Sequence, residues 1–257
     1  MNNKKILCVC DFDHTIVDQN TDIVVTKFIP EGEKQSIVFD KKPQCWTYHM
    51  EQLFQYFQTI GIKKSDYIRC MQQMQLTEHF KELLLYLSKI STLIIVSDSN
   101  QLFIDTILKH NGLDHVFQDI FTNPASYDEN KECLLIQPYG RLDEKSCNTC
   151  PINMCKGEII DNYRKTFFSS TNNQLEQNIV IFIGDGHNDV CAAKSLKKND
   201  LVCARQGYKM AVELKQYMLN NSGFINASYM EWNNGKDIQN YLEKFLNKCL
   251  EENDHDS

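Results

Sequence analysis

Asp11 and Asp13 stand two residues apart directly after the apolar run Ile6–Cys10. A carboxylate pair of this kind can hold a hard cation through oxygen, attack an electrophilic centre, or carry a proton to and from a reacting group. Two neighbouring negative charges repel one another, so the arrangement costs free energy unless a cation or a reaction uses it. Alone, Asp-x-Asp is equally an ordinary turn after a strand. Two further motifs argue against that alternative. Ser97-Asp98-Ser99-Asn100 follows the apolar run Leu93–Val96, and Gly184-Asp185-Gly186-His187-Asn188-Asp189 follows Ile179–Ile183. The glycines beside Asp185 let the backbone approach an ion or phosphate closely, and Asn188 and Asp189 can open a helix. A hydroxyl and several carboxylates converging on one side of a fold are what a metal-assisted site requires.

The pattern around these motifs predicts what positions them. Three apolar runs precede them and a fourth covers Leu201–Ala204, with helical patterns between, which predicts an α/β fold with a parallel sheet flanked by helices. Open sheets of this kind keep their sites at the carboxyl ends of the strands. Phe12, between the two aspartates, is expected to point the other way, into the core. Glu78–Ile90 carries Phe80, Leu83, Leu84 and Leu87 at helical spacing, with Thr77 placed to cap it. The segment after Asn100 presents Phe103, Ile104, Ile107 and Leu108 on one face before Gly112 stops it. Residues 20–76 break the alternation, being rich in Gln and aromatics with helical spacing best over Trp46–Phe57. They are expected to form a small helical insertion after the first strand, with Trp46, Tyr48, Phe54, Tyr56 and Phe57 as its core. The predicted division is residues 1–19 and 77–257 as the catalytic core and 20–76 as the insertion. A last helix is expected over Lys236–Leu250, followed by an acidic tail, Glu251–Asp256, that frays.

At 257 residues the chain can bury a full core, and 42% hydrophobic with 24% charged residues excludes a disordered chain. A net charge of −7 disfavours nucleic acid or an anionic membrane surface as partner. No apolar run reaches the ~20 residues that span a bilayer, and the first run is too short for a signal peptide. A cytoplasmic location is therefore expected, and the oligomeric state stays open. The eleven cysteines are scattered and read as reduced thiols. Cys8, Cys10, Cys191 and Cys203 fall in apolar or helical settings, where they pack as small hydrophobes. Cys147-x-x-Cys150 followed by Cys155 looks like part of a zinc site, but no fourth ligand lies nearby in sequence, and packed thiols are the alternative.

Asp11-Phe-Asp13-His-Thr15-Ile-Val, Ser97 and Gly184-Asp185-Gly186-x-Asn188-Asp189 together resemble the haloacid dehalogenase (HAD) superfamily, whose phosphatases begin with an Asp-x-Asp-x-Thr strand end. More narrowly, the chain is similar to the phosphoethanolamine/phosphocholine phosphatase and pyridoxal phosphate phosphatase group. That similarity rests on Val96-Ser-Asp-Ser-Asn100, Thr122-Asn-Pro124, Cys147-x-x-Cys150-Pro-x-Asn-Met-Cys155-Lys156 and Gln206-Gly207-Tyr208-x-Met210. Their order and spacing cover nearly the whole chain.

The resemblance implies a Rossmann-like, doubly wound HAD core, with the insertion as a cap that closes over the leaving group. It implies a Mg²⁺-dependent phosphomonoesterase acting on a small phosphorylated metabolite: pyridoxal 5′-phosphate, phosphoethanolamine or phosphocholine. Asp11 then matches the nucleophile that forms an aspartyl-phosphate, and Asp13 the acid and later the base. Mg²⁺ is assigned to Asp11, the backbone carbonyl of Asp13 and Asp185. Ser97 and Lys156 match the clamp on the phosphoryl group. Thr15, Asn188 and Asp189 are supporting residues, with Asp189 set to serve the metal's surroundings or to orient Lys156. Asp22 and Asp98 match acidic residues directed at a cationic amine; capping or turn formation is the alternative for each. Two departures stand out, His14 in the first motif and His187 in the fourth, either a titrating group near the site or a solvent-facing loop residue. A phosphotransferase on the same fold is one alternative and a catalytically silent phosphate-binding protein another; intact Asp11, Asp13, Lys156 and Asp185 argue against the second.

Overall fold

Apolar runs buried on both faces form the centre of one parallel sheet, as such runs must when helices cover both sides. The computed structural model describes residues 5–33, 45–140, 147, 150–169, 178–220 and 223–254. The first strands are β1 (Ile6–Cys10), β2 (Thr92–Asn100) and β3 (Asp119–Asn123), followed by a hairpin of β4 (Ala125–Asp128) and β5 (Cys133–Ile136). β6 (Ile179–Gly184), β7 (Leu201–Arg205) and β8 (Ser228–Trp232) complete the set. The six sheet strands run parallel in the order β3-β2-β1-β6-β7-β8, and the hairpin pairs antiparallel by itself.

The helices are α1 (Thr21–Val24), α2 (Trp46–Thr59), α3 (Lys64–Gln72), α4 (Phe80–Ile90), α5 (Gln101–His110) and α6 (Lys156–Phe168). They continue with α7 (Val190–Ser195), α8 (Lys209–Asn220) and α9 (Gly235–Asp254). Period-two alternation along the strands divides the core in two. Cys8, Cys10, Ile95, Ile183 and Cys203 face α4, α5, α9 and the insertion helices, joined there by Phe12; Leu7, Val9, Ile94, Phe182 and Val202 face α6, α7 and α8. Each large apolar side chain so buried contributes about 1.5–3 kcal/mol. The expected doubly wound sheet is therefore present.

From β1 the chain builds outward through β2 and β3, then crosses to the other side of β1 for β6, β7 and β8. β1 is thus the topological switch point, beside which open α/β sheets bind ligands. Cys10 is in register with Ile95 and with Ile183. Asp11, Ser97 and Asp185, one or two residues beyond these positions, therefore emerge at the same edge.

Within residues 20–76 lie α1, α2 and α3. Their buried Met50, Leu53, Phe54, Phe57, Tyr67 and Met71 join the apolar cluster on one face of the sheet. Phe54 meets Tyr67 and Phe103 edge-on, with ring centroids 5.8 and 5.9 Å apart, which fixes these helices on α5.

Several expectations need correction. Trp46 is 53% exposed and outside the aromatic core, because its indole reaches a carboxylate on α1. Thr77 does not cap α4: its carbonyl accepts from Phe80 N–H, its hydroxyl finds no partner, and His79 takes the cap position with φ 61°. Cys191 leaves the apolar face, which Ala192 and Ala193 occupy, and meets other thiols. The last helix continues through Asp254 where the tail was expected to fray; residues 255–257 lie outside the described residues.

Candidate active site

Asp11 leaves β1 with its backbone N–H bonded to Ile183 O at 2.9 Å, so the loop after β1 is tied to β6 at its root. Phe12 O accepts from Thr15, Ile16 and Val17, which closes the loop over a fully buried Phe12 ring. His14 takes up the turn at φ 54°, a left-handed conformation uncommon outside glycine. Arg205, at the end of β7, clasps the loop from outside. It donates to His14 O at 2.6 Å and to the Asp18 carboxylate, with its guanidinium over the Tyr208 ring.

Lys156, the first residue of α6, is buried between two carboxylates. Its Nζ lies 2.8 Å from Asp11 Oδ1 and 2.7 Å from Asp189 Oδ1. The other Asp189 oxygen accepts the N–H groups of Asp185 and Gly186 at 2.9 and 2.8 Å. Gly184 makes that approach possible: a Cβ there would stand 2.5 Å from Asp189 Oδ2. Thr15 Oγ1 donates to Asp185 Oδ1 at 3.4 Å.

Asp11, Asp185 and Asp189 present oxygens within 4.8 Å of one another, against the single charge of Lys156. The excess negative charge appears in their titration. Burial, then the charge of Asp189, push Asp11 up to about 7 even though Lys156 pulls the other way. Burial, then Asp11 and Asp189, raise Asp185 to about 9. For Lys156, burial favours the neutral amine, but Asp11, Asp189 and Asp98 outweigh it, so its pKa rises and it stays an ammonium. Hard oxygen donors short of positive charge fit Mg²⁺, and Asp11 and Asp185 are the side chains suited to hold it. Asp189 is already occupied by Lys156 and two backbone donors.

Asp13 turns its carboxylate to Thr21, accepting from the backbone N–H at 3.0 Å and the hydroxyl at 3.1 Å. Burial and the neighbouring Asp22 raise its pKa well above the usual carboxylate value. The Thr21 hydroxyl also meets Ser99 Oγ at 2.7 Å, and Ser99 N–H donates to Ser97 Oγ at 3.2 Å. Asp98 accepts from Asn188 Nδ2 at 2.7 Å. Asp22 accepts from Trp46 Nε1 at 2.7 Å, while its other oxygen is buried without a partner. Burial raises Asp22 to about 7, with the Trp46 bond opposing and Asp98 reinforcing the rise.

A cleft of about 720 Å³ opens over these groups, and Asp11, Asp13, Ser97, Asp98, Asp185 and Asn188 line it. Thr15, Lys156 and Asp189 touch the carboxylates without lining the cleft, and Asp22 is buried near Asp13 and Asp98. His14 and His187 both reach its wall. His187 Nδ1 lies 2.8 Å from a Glu213 oxygen, and His14 Nδ1 lies 3.2 Å from Asp18 O. Sequence reasoning missed the roles of Thr21, which carries no motif, and of Ser99, which the Ser97-Asp98-Ser99-Asn100 motif contains without singling it out. It also missed the role of Asn123, although the Thr122-Asn-Pro124 motif marks the position. Asn123 Nδ2 donates to Asp98 O and Ser99 O at 2.6 and 2.9 Å, and its Oδ1 accepts from Asn153 at 2.8 Å. One amide thereby joins the end of β2 to the segment that leads into Lys156.

The family model described as "Putative Phosphatase" matches residues 6–246. The chain is 34% identical to the pyridoxal phosphate phosphatase PHOSPHO2 of Bos taurus over 247 residues, covering 93% of this chain and 98% of that one. It is 27% identical to the phosphoethanolamine/phosphocholine phosphatase of Gallus gallus over 252 residues, covering 95% and 90%. Among solved structures, a substrate-bound phosphoserine phosphatase superposes with a TM-score of 0.57 at 16% identity, covering 93% of this chain and 99% of the other, and so shares the fold. Matches of this extent run through every strand of the sheet and every motif of the site. The chain belongs to the phosphatases of the haloacid dehalogenase superfamily, in the group of the pyridoxal phosphate and phosphoethanolamine/phosphocholine phosphatases.

Proposed function

We propose that this phosphatase is a Mg²⁺-dependent phosphomonoesterase that works through an aspartyl-phosphate on Asp11. The observation that carries the reading is the buried Asp11–Lys156–Asp189 ion-pair cluster at the switch point, with Asp11 and Asp185 facing a cleft. The Lys156 and Phe12 N–H contacts both engage Asp11 Oδ1, which leaves Oδ2 to attack phosphorus in line. As the phosphorus bond to the leaving oxygen breaks, Asp13 gives that oxygen its proton, which burial keeps on the carboxyl. Asp13 then takes a proton from the water that hydrolyses the aspartyl-phosphate. Ser97 and Lys156 hold the phosphoryl oxygens, and Asp189 holds Lys156 in place. Asp11, Asp185 and the backbone carbonyl of Asp13 would hold Mg²⁺, whose charge, when bound, screens the nucleophile from the phosphate. Residues 20–76 act as the cap over the leaving group, on a core of residues 1–19 and 77–257.

The substrate in this reading is a small phosphorylated metabolite, pyridoxal 5′-phosphate first. Phosphoethanolamine or phosphocholine is the second reading, favoured by Asp22: a buried carboxylate with one unpartnered oxygen near Asp98 calls for a cation. No helix among the described residues is long and apolar enough to cross a membrane. A cytoplasmic location without nucleic-acid or membrane partners belongs to the proposal.

Phosphate release from pyridoxal 5′-phosphate, phosphoethanolamine, phosphocholine and pyrophosphate, with and without Mg²⁺, tests it. The monoesters are expected to turn over only with Mg²⁺, and Asp11→Asn to abolish turnover. Release by Asp11→Asn at the parent rate would overturn the nucleophile assignment, and no turnover of any monoester would overturn the substrate class.

A further inference from the structure

Cys147, Cys150, Cys155 and Cys191 bring their four sulfurs within 4.8 Å of one another. Three come from the segment that leads into α6 and the fourth from the first turn of α7. Cys191 Sγ lies 3.6 Å from Cys147 Sγ and 3.7 Å from Cys155 Sγ, and Cys147 and Cys155 are 3.8 Å apart. Four thiolates around one zinc ion at about 2.3 Å stand about 3.8 Å from each other in a tetrahedron. A disulfide needs its two sulfurs at about 2.05 Å, and all four of these cysteines are free thiols. Cys8, Cys10 and Cys203 show the contrasting case of thiols packed in the sheet core among apolar neighbours.

The backbone around the cluster is arranged for thiolates. Cys150 N–H donates to Cys147 Sγ at 3.2 Å, and Gly157 N–H faces Cys191 Sγ. Amide donors of this kind, the second of them at the positive end of α6, stabilise coordinated sulfur. Gly157 is what lets α6 press on Cys191: a Cβ there would lie 2.9 Å from both the sulfur and the backbone oxygen of Cys191.

We propose that Cys147, Cys150, Cys155 and Cys191 hold a structural zinc ion, separate from the carboxylate site. The sulfurs fill all four positions, so the ion is closed to substrate, and its binding releases the thiol protons to solvent. Its place in the fold gives it a purpose. Cys155 immediately precedes Lys156, and Cys191 follows Asp189 by two residues, so the zinc would pin together the two segments that supply the Lys156–Asp189 pair behind Asp11. Cys150 also lines the cleft, making the zinc loop part of its wall.

The test is the metal content of the full chain, produced with zinc available and purified without chelators, measured by mass spectrometry in magnesium-free buffer. About one zinc per chain is expected. Replacement by cobalt(II) is expected to give the intense visible bands and sulfur charge-transfer absorption of a tetrahedral four-thiolate site. Cys191→Ser is expected to lose the zinc and Cys45→Ala to keep it; should Cys191→Ser fail to fold, the cobalt spectrum of the parent protein decides. A protein without zinc that also fails to take up zinc or cobalt under reducing conditions overturns the proposal. So does a cobalt spectrum lacking sulfur charge transfer, or a disulfide among the four cysteines. None of these readouts depends on turnover, so they stand apart from the phosphatase reading.

Discussion

Replacing Lys156 with methionine removes the ammonium that faces both Asp11 and Asp189, while keeping most of the volume of a side chain only 1% exposed. Deleting one partner of a buried ion pair costs about 3–5 kcal/mol, because the remaining charge is stranded. Here one Nζ serves two carboxylates, which places the loss toward the upper end. In a chain of this size 1 kcal/mol shifts the melting temperature by about 2–4 °C, so Lys156→Met is expected to melt ~6–20 °C below the parent in magnesium-free buffer at pH 8. The deficit should shrink toward pH 5. Asp11 titrates at about 7 and Asp185 at about 9, so at low pH these carboxylates take up protons and need the cation less. Added Mg²⁺ should restore part of the stability by neutralising the same oxygens, but not the activity, which is expected to stay about 100–1000-fold down because the proposed mechanism loses the cation that holds the phosphoryl group. Scanning fluorimetry across pH, with and without Mg²⁺, and phosphate release measure both effects. If the variant melts within about 2 °C of the parent at pH 8 without Mg²⁺, the ion-pair argument is refuted.

The same carboxylates predict the pH dependence of the unaltered protein. Asp11 and Asp22 near 7 and Asp185 near 9, all raised from 3.8, keep protons in the folded state that the unfolded chain has lost. Their contribution is complete below pH ~4 and is lost as the pH rises through 7 to 9, so without Mg²⁺ the melting temperature should fall over that range. Mg²⁺ should flatten the slope, and a melting temperature that rises with pH in its absence would contradict the assignment. Asp22→Asn should raise KM for phosphoethanolamine while leaving a phosphomonoester without an amine unaffected. A uniform change for both substrates would remove Asp22 from amine recognition.

What the sequence made legible was the part where one physical signal dominates. β1, β6 and β7 are short apolar runs buried on both faces, and the motifs that follow them had to emerge at their ends. β3 escaped notice because it is an edge strand, with Asp119 exposed and Ile120 and Phe121 only half-buried. β8 alternates polar and apolar residues, and β4 of the hairpin is equally mixed. Trp46 was misplaced because an aromatic at helical spacing reads as core, whereas its partner is the carboxylate of Asp22, which only the fold brings near. Cys191 lay beyond reach for a similar reason: 36 residues separate it from Cys155, and adjacency arises only when α7 is laid against the start of α6.

That packing also resolves an apparent conflict between a net charge of −7 and an anionic substrate. Phosphate binding depends on the field within the cleft rather than on total charge. α6 belongs to the segment that carries the chain from β3 to β6 across the switch point, so its first turn arrives where the strand order reverses. Two functions are divided within that turn. The N–H of Gly157 goes to the sulfur of Cys191, and the Lys156 side chain goes to Asp11 and Asp189. A lysine on a surface helix would be free to move with its solvent. Lys156 is fixed at both ends, by the cysteine cluster behind its backbone and by two carboxylates around its ammonium. In the proposed mechanism a single buried cation is then enough to receive a phosphoryl group inside an acidic protein, provided that the segment carrying it cannot shift.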